Sequence, residues 1–359
     1  MFNNLPVCLQ PWVHLWLGWN NFNICCLGVG TDFGNITEYS TKDNIELDNI
    51  FNHDVFVKRR TELLNGELVE TCMNCSNKNN GGGIIQTCSF IISHLLKIAD
   101  EKQRERARIN CMQFLFSIAN KQSIVYHKPL YANIICGSAC NLKCKFCYNC
   151  NMDYNPEPEA IINIIDKIHE TLLHVSLTGG EPLITKAGRA LLNRFGEGKY
   201  KFNIHMDTNC QYIDFDLLEP VNLVSVSIST DAATKKVYES IRIGGNFDTL
   251  ISNIKKFVDF KKIKPSMQLS SNYTITSDNY MEIPEACKLY NGLGISIGFN
   301  LVNREKEDPQ NIRERADLYD DFLIKIDEGV NVLKTSYEKA SLTAIKNEIL
   351  LRKNRTNFD

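Results

Sequence analysis

The chain has 359 residues, enough for one large α/β domain and a smaller one. Its apolar, aromatic and charged fractions are ordinary for a soluble globular protein. A formal net charge of −2 gives no electrostatic reason to expect nucleic acid or an anionic membrane. No apolar run reaches membrane-spanning length, and Met1-Phe-Asn-Asn-Leu-Pro6 lacks the basic start and apolar core of a signal peptide. Fourteen cysteines are many, and their grouping points to metal ligation in a reducing, cytoplasmic setting rather than to a disulfide framework.

Residues 1–80 differ from the rest. Strand-like runs Val13–Leu17 and Phe22–Cys26, joined by Gly18-Trp-Asn-Asn21, predict a hairpin, and Ile45–Leu64 reads as one or two short helices ending at Asn65-Gly66. Cys8, Cys26 and the Cys72/Cys75 pair supply a four-thiolate set, although strand alternation lets only one of Cys25 and Cys26 point inward and does not say which. Zinc and an iron–sulfur cluster both satisfy such a set.

Asn77–Gly83 is polar, glycine-rich and without periodicity, which marks a linker. Within a helical linker over 81–128, apolar residues recur at helical spacing from Ile84 to about Ile118, predicting one long or two consecutive helices in which Cys88 and Cys111 are packing residues. From Leu130 onward the chain alternates strand and helix. Strand-like runs at about 130–136, 173–178, 201–206, 222–229, 266–275 and 295–301 make six βα units. Six strands fall short of a closed eight-stranded barrel, so residues 129–303 are expected to form an α/β fold, an open partial (β/α)6 barrel. Residues 304–359 read as charged helices without cysteine.

The stretch Cys140-Asn-Leu-Lys-Cys144-Lys-Phe146-Cys147 falls on the loop beyond the first of these strands, where parallel α/β folds build their sites. Three thiolates can hold a [4Fe–4S] cluster and leave one iron open to a small molecule; a zinc knuckle or buried structural thiols is the alternative. With the aromatic Phe146 before its last cysteine, this CxxxCxxC resembles the motif of the radical S-adenosylmethionine (SAM) enzymes. The resemblance implies that Cys140, Cys144 and Cys147 hold the cluster and that SAM chelates the open iron. One electron then cleaves SAM to a 5′-deoxyadenosyl radical, which takes a hydrogen atom from substrate.

Later motifs fit the same resemblance. Gly179-Gly180-Glu181-Pro182 ends the second strand, where paired glycines allow close backbone approach and a carboxylate can accept from an ammonium group. The family uses this motif for the amino group of SAM; the plain reading is a strand-terminating turn. Met206-Asp-Thr-Asn209-Cys210 ends the third strand where relatives often have Thr-Asn-Gly, so Asn209 joins the SAM contacts. Cys210 is either a hydrogen-atom donor near the radical or a small buried packing residue. Ser229 and Asp231, alternating at the end of the fourth strand, suit ribose hydroxyls and the polar end of SAM. Arg242 is the candidate for the SAM carboxylate, against a surface arginine, and Asn272 and Gly298 suit polar and adenine contacts.

The N-terminal pattern is similar to the SPASM/twitch auxiliary modules of many radical SAM enzymes. It includes Cys8 ahead of Pro11-Trp12, Cys25-Cys26 after a hairpin, Gly34-Asn35-Ile36, and Asn65-Gly66-Glu67 before Cys72-Met-Asn-Cys75. In most relatives the module follows the barrel, and here it precedes it. The resemblance implies a small N-terminal α+β module with a second [4Fe–4S] cluster, and a flavodoxin- or ferredoxin-type reductant. The substrate expected first is a peptide or protein, as in ribosomal-peptide modification or enzyme maturation. Dehydrogenation or epimerisation of a small carbohydrate is the alternative. A zinc-binding interaction protein or an electron-transfer iron–sulfur protein are the rivals from other classes.

Overall fold

The structure, a computed structural model, describes residues 8–25, 33–36, 50–68, 72, 75, 84–147 and 152–356. Its strands in chain order are β1 (His14–Gly18), β2 (Asn21–Asn23), β3 (Phe33–Asn35), β4 (Tyr131–Ile135), β5 (Lys143–Cys144) and β6 (His174–Thr178). β7 (Asn203–Thr208), β8 (Leu223–Ser229), β9 (Arg242–Ile243), β10 (Gln268–Ile275) and β11 (Ser296–Leu301) follow. The fold is mixed α/β with a parallel sheet. Its strands β4, β6, β7, β8, β10 and β11 fall on the six runs expected for the partial barrel, with helices between them. The chain divides into two compact units: Met1–Ala139 with Asp153–His205 and Phe215–Leu223, and Cys140–Met152 with Met206–Asp214 and Val224–Asp359.

In the first unit the predicted hairpin forms. Trp19 and Asn20 turn the chain at φ of 55° and 65°, and Gly18 pairs with Asn21, a left-handed turn that matches strand twist. The other edge of β1 pairs in parallel with β4, His14 opposite Tyr131 and Leu17 opposite Ile134. β4 in turn pairs in parallel with β6. The N-terminal hairpin is therefore part of the same sheet as the first two barrel strands, a contact between segments more than a hundred residues apart.

Around it, Arg60 of the helix Asp54–Leu64 is fully buried, with no carboxylate paired to it among the described residues. Its guanidinium donates to the carbonyls of Pro11 (2.9 Å) and Ser123 (3.0 Å) and to Asn52 Oδ1 (3.2 Å), and lies 4.6 Å from the Phe51 ring centre. The stretch expected as a linker, Asn77–Gly83, lies outside the described residues, and the segment after it forms two helices, Ile84–Lys97 and Glu101–Ala119. They separate because the Asp100 side chain accepts the Gln103 N–H at 2.7 Å, an N-cap that starts the second helix afresh.

In the second unit β8 and β11 each pair in parallel with β10. Val224, Val226 and Ile228 of β8 are buried while the serines between them are half-buried, so period-2 alternation separates an apolar face from a polar one. The helix Phe247–Phe260 starts on the Asn246 cap and buries Leu250, Ile254 and Phe257 at helical spacing. Residues 304–318, expected as helix, form turns and two 3₁₀ segments instead. The Asn311 side chain there donates to the carbonyls of Arg304 and Glu305, an alternative to helical bonding. The α-helices begin at Tyr319–Val332 and Ser336–Thr356.

Candidate active site

The three-cysteine loop belongs to the second unit. Cys140 is exposed, and Cys144 and Cys147 are half-buried. A turn closed by the Cys147 N–H on the Cys144 carbonyl (3.1 Å) holds the last two together. The Cys140 sulfur accepts from the Leu142 N–H (3.4 Å) and from Asn209 Nδ2 (3.5 Å), and Asn209 also donates to Asn141 Oδ1 at 2.8 Å. Sequence reasoning placed Asn209 near the cofactor but did not see its bond to a thiol.

The middle of the loop is strapped to β9. Cys144 pairs with Arg242 and Lys143 with Ile243, and the Lys145 N–H reaches the Ile241 carbonyl at 3.0 Å. Arg242 is buried. Its Nε donates to Asp231 Oδ2 at 2.7 Å, its Nη2 also pairs with that carboxylate, and its Nη1 lies 3.6 Å from the Cys144 sulfur. Asp231 is fully buried at φ 53° and accepts the Thr274 N–H at 2.6 Å. The side chains expected to face SAM are thus first of all bonded to each other. Burial pushes the Cys144 thiol up to about 11, and the Arg242 charge pulls against that shift.

Ser229, Asn272 and Gly298 stand side by side in register on β8, β10 and β11. A side chain at Gly298 would meet nothing nearer than the Ser271 carbonyl at 4.0 Å, so the row is open there. The next row, missed in the sequence, is Ser227, Ser270 and Ser296. All six positions are half-buried and none carries a charge. Cys210 is fully buried at φ 59°, the left-handed region that explains the glycine usual in relatives. Phe146 is half-buried.

The glycine motif belongs to the first unit. Gly179 sits at φ 127°, the Gly180 N–H donates to the Gly137 carbonyl (2.7 Å), and the Glu181 N–H to that of Ala139 (2.9 Å). A Cβ at Gly180 would lie 2.1 Å from the Ala139 oxygen, so only glycine fits. Glu181 and Pro182 are buried, and Glu181 Oε1 accepts weakly from the Leu183 N–H at 3.5 Å.

Of the N-terminal thiols, Cys8, Cys25, Cys72 and Cys75 are half-buried, and Cys26 lies outside the described residues. Burial pushes the Cys8 thiol up to about 11, with Cys25, Cys72 and Cys75 near enough to add to the rise. Among the described residues no three His, Cys, Asp or Glu side chains are placed to hold one ion. A mononuclear site needs its ligands to meet at one point, whereas thiolates on a [4Fe–4S] cluster bind separate irons. Thiols in one loop, two of them already accepting N–H donors, fit the second requirement.

With this geometry in view, residues 134–290 match the family model of the radical SAM superfamily. That match likens this part of the chain to the radical SAM superfamily. A probable GTP 3′,8-cyclase of Methanocaldococcus jannaschii is 26% identical over 163 residues, 43% of this chain and 53% of that protein. The chain thus spans about half the length of that curated relative. Among solved structures, Streptococcus suis SuiB bound to S-adenosylmethionine has a TM-score of 0.48 at 20% identity, covering 83% of this chain and 66% of that one. SuiB bound to precursor peptide SuiA gives 0.44 at 18%, covering 84% and 64%. Native anSMEcpe with bound AdoMet and Cp18Cys peptide gives 0.43 at 18%, covering 56% and 59%. Among the described residues no helix is long and apolar enough to cross a membrane.

Proposed function

We propose that this chain is a radical SAM enzyme that abstracts a hydrogen atom from a peptide or protein. The observation that carries the substrate reading is the pair of polar rows on β8, β10 and β11. Hydroxyls, one amide and one bare glycine line them, and no charged side chain does. Such rows can bond the N–H and C=O groups of a peptide, whereas a nucleoside triphosphate needs cations for its phosphates. A small carbohydrate is the second reading, since its hydroxyls suit the same rows.

In this reading Cys140, Cys144 and Cys147 hold the cluster. Bound there, cluster and SAM supply one-electron cleavage to the 5′-deoxyadenosyl radical. Gly179–Pro182 takes the SAM amino group, with Asn209, Ser229, Asp231, Asn272 and Gly298 lining the rest. Arg242 has five N–H groups, of which Asp231 and Cys144 occupy three, leaving two for the SAM carboxylate. Cys8, Cys72, Cys75 and one of Cys25 and Cys26 hold an auxiliary cluster that passes an electron on, and a flavodoxin- or ferredoxin-type protein is the reductant.

The test is anaerobic reconstitution with iron and sulfide, an iron count, and an assay of 5′-deoxyadenosine from SAM after reduction. About eight irons with nucleoside formation are expected, two four-iron clusters. About four irons with nucleoside would remove the auxiliary cluster and keep the enzyme. C144A is expected to abolish cleavage while keeping iron at the N-terminal thiols; retained cleavage would sink the assignment.

A further inference from the structure

Arg242 was expected at the SAM carboxylate, and the structure gives its guanidinium a different first partner. Three bonds fix it: Nε and Nη2 on Asp231, and Nη1 at 3.6 Å from the Cys144 sulfur. The backbone adds a register, because Cys144 and Arg242 are ladder partners across β5 and β9. Asp231 is itself immobilised. Its carboxylate accepts the Thr274 N–H, and its carbonyl accepts Asn279 Nδ2 at 2.8 Å. Both members of the pair are buried, so solvent screens them little.

We propose that Arg242 is a positioning residue that sets the reduction potential of the three-cysteine cluster through its N–H bond to Cys144, with Asp231 as its counter-charge. The inference rests on the radical SAM reading of that loop. The Cys144 thiol stands here for the cluster thiolate. An N–H donor and a fixed positive charge at a ligand sulfur both stabilise the added electron, since reduction makes the cluster more negative. Asp231 offsets part of that charge. The two residues therefore act with opposite sign on the same couple, although they belong to one ion pair.

That opposition separates an electrostatic role from a merely structural one. R242Q removes the charge and should lower the midpoint potential of the reconstituted cluster, read by redox titration with EPR detection and without SAM. D231N leaves the arginine uncompensated and should raise it. The expected size is at least a tenfold change in the reduced-to-oxidised ratio at fixed potential, about 59 mV for one electron. Opposite shifts support the inference. Midpoints that stay put, or that move together, overturn it while leaving the cluster assignment intact. Should R242Q fold but hold no iron, D231N alone decides, by a raised midpoint or by none. A C144A variant whose iron content and EPR signal match those of the wild-type protein removes the cluster assignment, and the inference with it.

Discussion

At Gly180 the backbone leaves no room for a side chain. The atom that would collide with a Cβ is the carbonyl oxygen of Ala139, the residue before Cys140, and backbone cannot turn aside as a side chain can. G180A is expected to destabilise the protein by about 1–3 kcal/mol and to lower iron retention after desalting. Thermal unfolding and an iron count check both, and a variant with unchanged melting and full iron would refute the account. The paired glycines were legible as a close backbone approach, but the partner expected was a ligand. The partner found is the chain's own loop, and no local pattern announces it. Arg242 repeats the lesson: its residue type and motif position were readable, but its bond to Cys144 joins residues 98 apart.

Among the elements, the barrel strands were the most legible, because apolar runs bounded by glycine and polar turns recur at regular spacing. The helices at Ile84–Lys97 and Glu101–Ala119 left one ambiguity, one helix or two, which the Asp100 cap resolves. The hairpin was legible from its turn; its parallel pairing with β4 was not. Arg60 is the anchor of that arrangement, since it bonds the Pro11 and Ser123 carbonyls from a third segment. R60A would strand both carbonyls in the interior, and a loss of about 2–4 kcal/mol in urea unfolding is expected. R60K keeps the charge without the fork and should fall between. A loss below about 0.5 kcal/mol, the size of an ordinary surface substitution, would contradict the anchoring role.

At the scale of the whole molecule, acid should be the main solution threat to stability. Burial holds His14 and His127 down near 4, against an ordinary 6.5, and lowers His94 and His174 too. These rings are neutral in the fold, so between about pH 6.5 and about pH 4 the unfolded chain binds more protons. Their stability is present above that window and is lost as pH falls through it, at up to about 1.4 kcal/mol per pH unit for each ring. Melting temperatures compared at about pH 7.5 and about pH 5 should fall, and H127Q should fall less. A flat profile would mean that these rings titrate normally. His127 faces the Trp12 carbonyl at 2.7 Å, with Ser117 beside it and the Arg60 charge nearby.

The sequence by itself determined the alternation of strand and helix, the three-thiol loop and the glycine turn. Each of these is written in residues close together, where spacing and side-chain type constrain geometry directly. The tertiary structure alone decided which distant groups meet: β1 on β4, Arg242 and Asp231 at Cys144, Asn209 at Cys140, and polar rows assembled from three strands. Such pairings depend on register between segments far apart in the chain, and register is set by packing the whole apolar face at once.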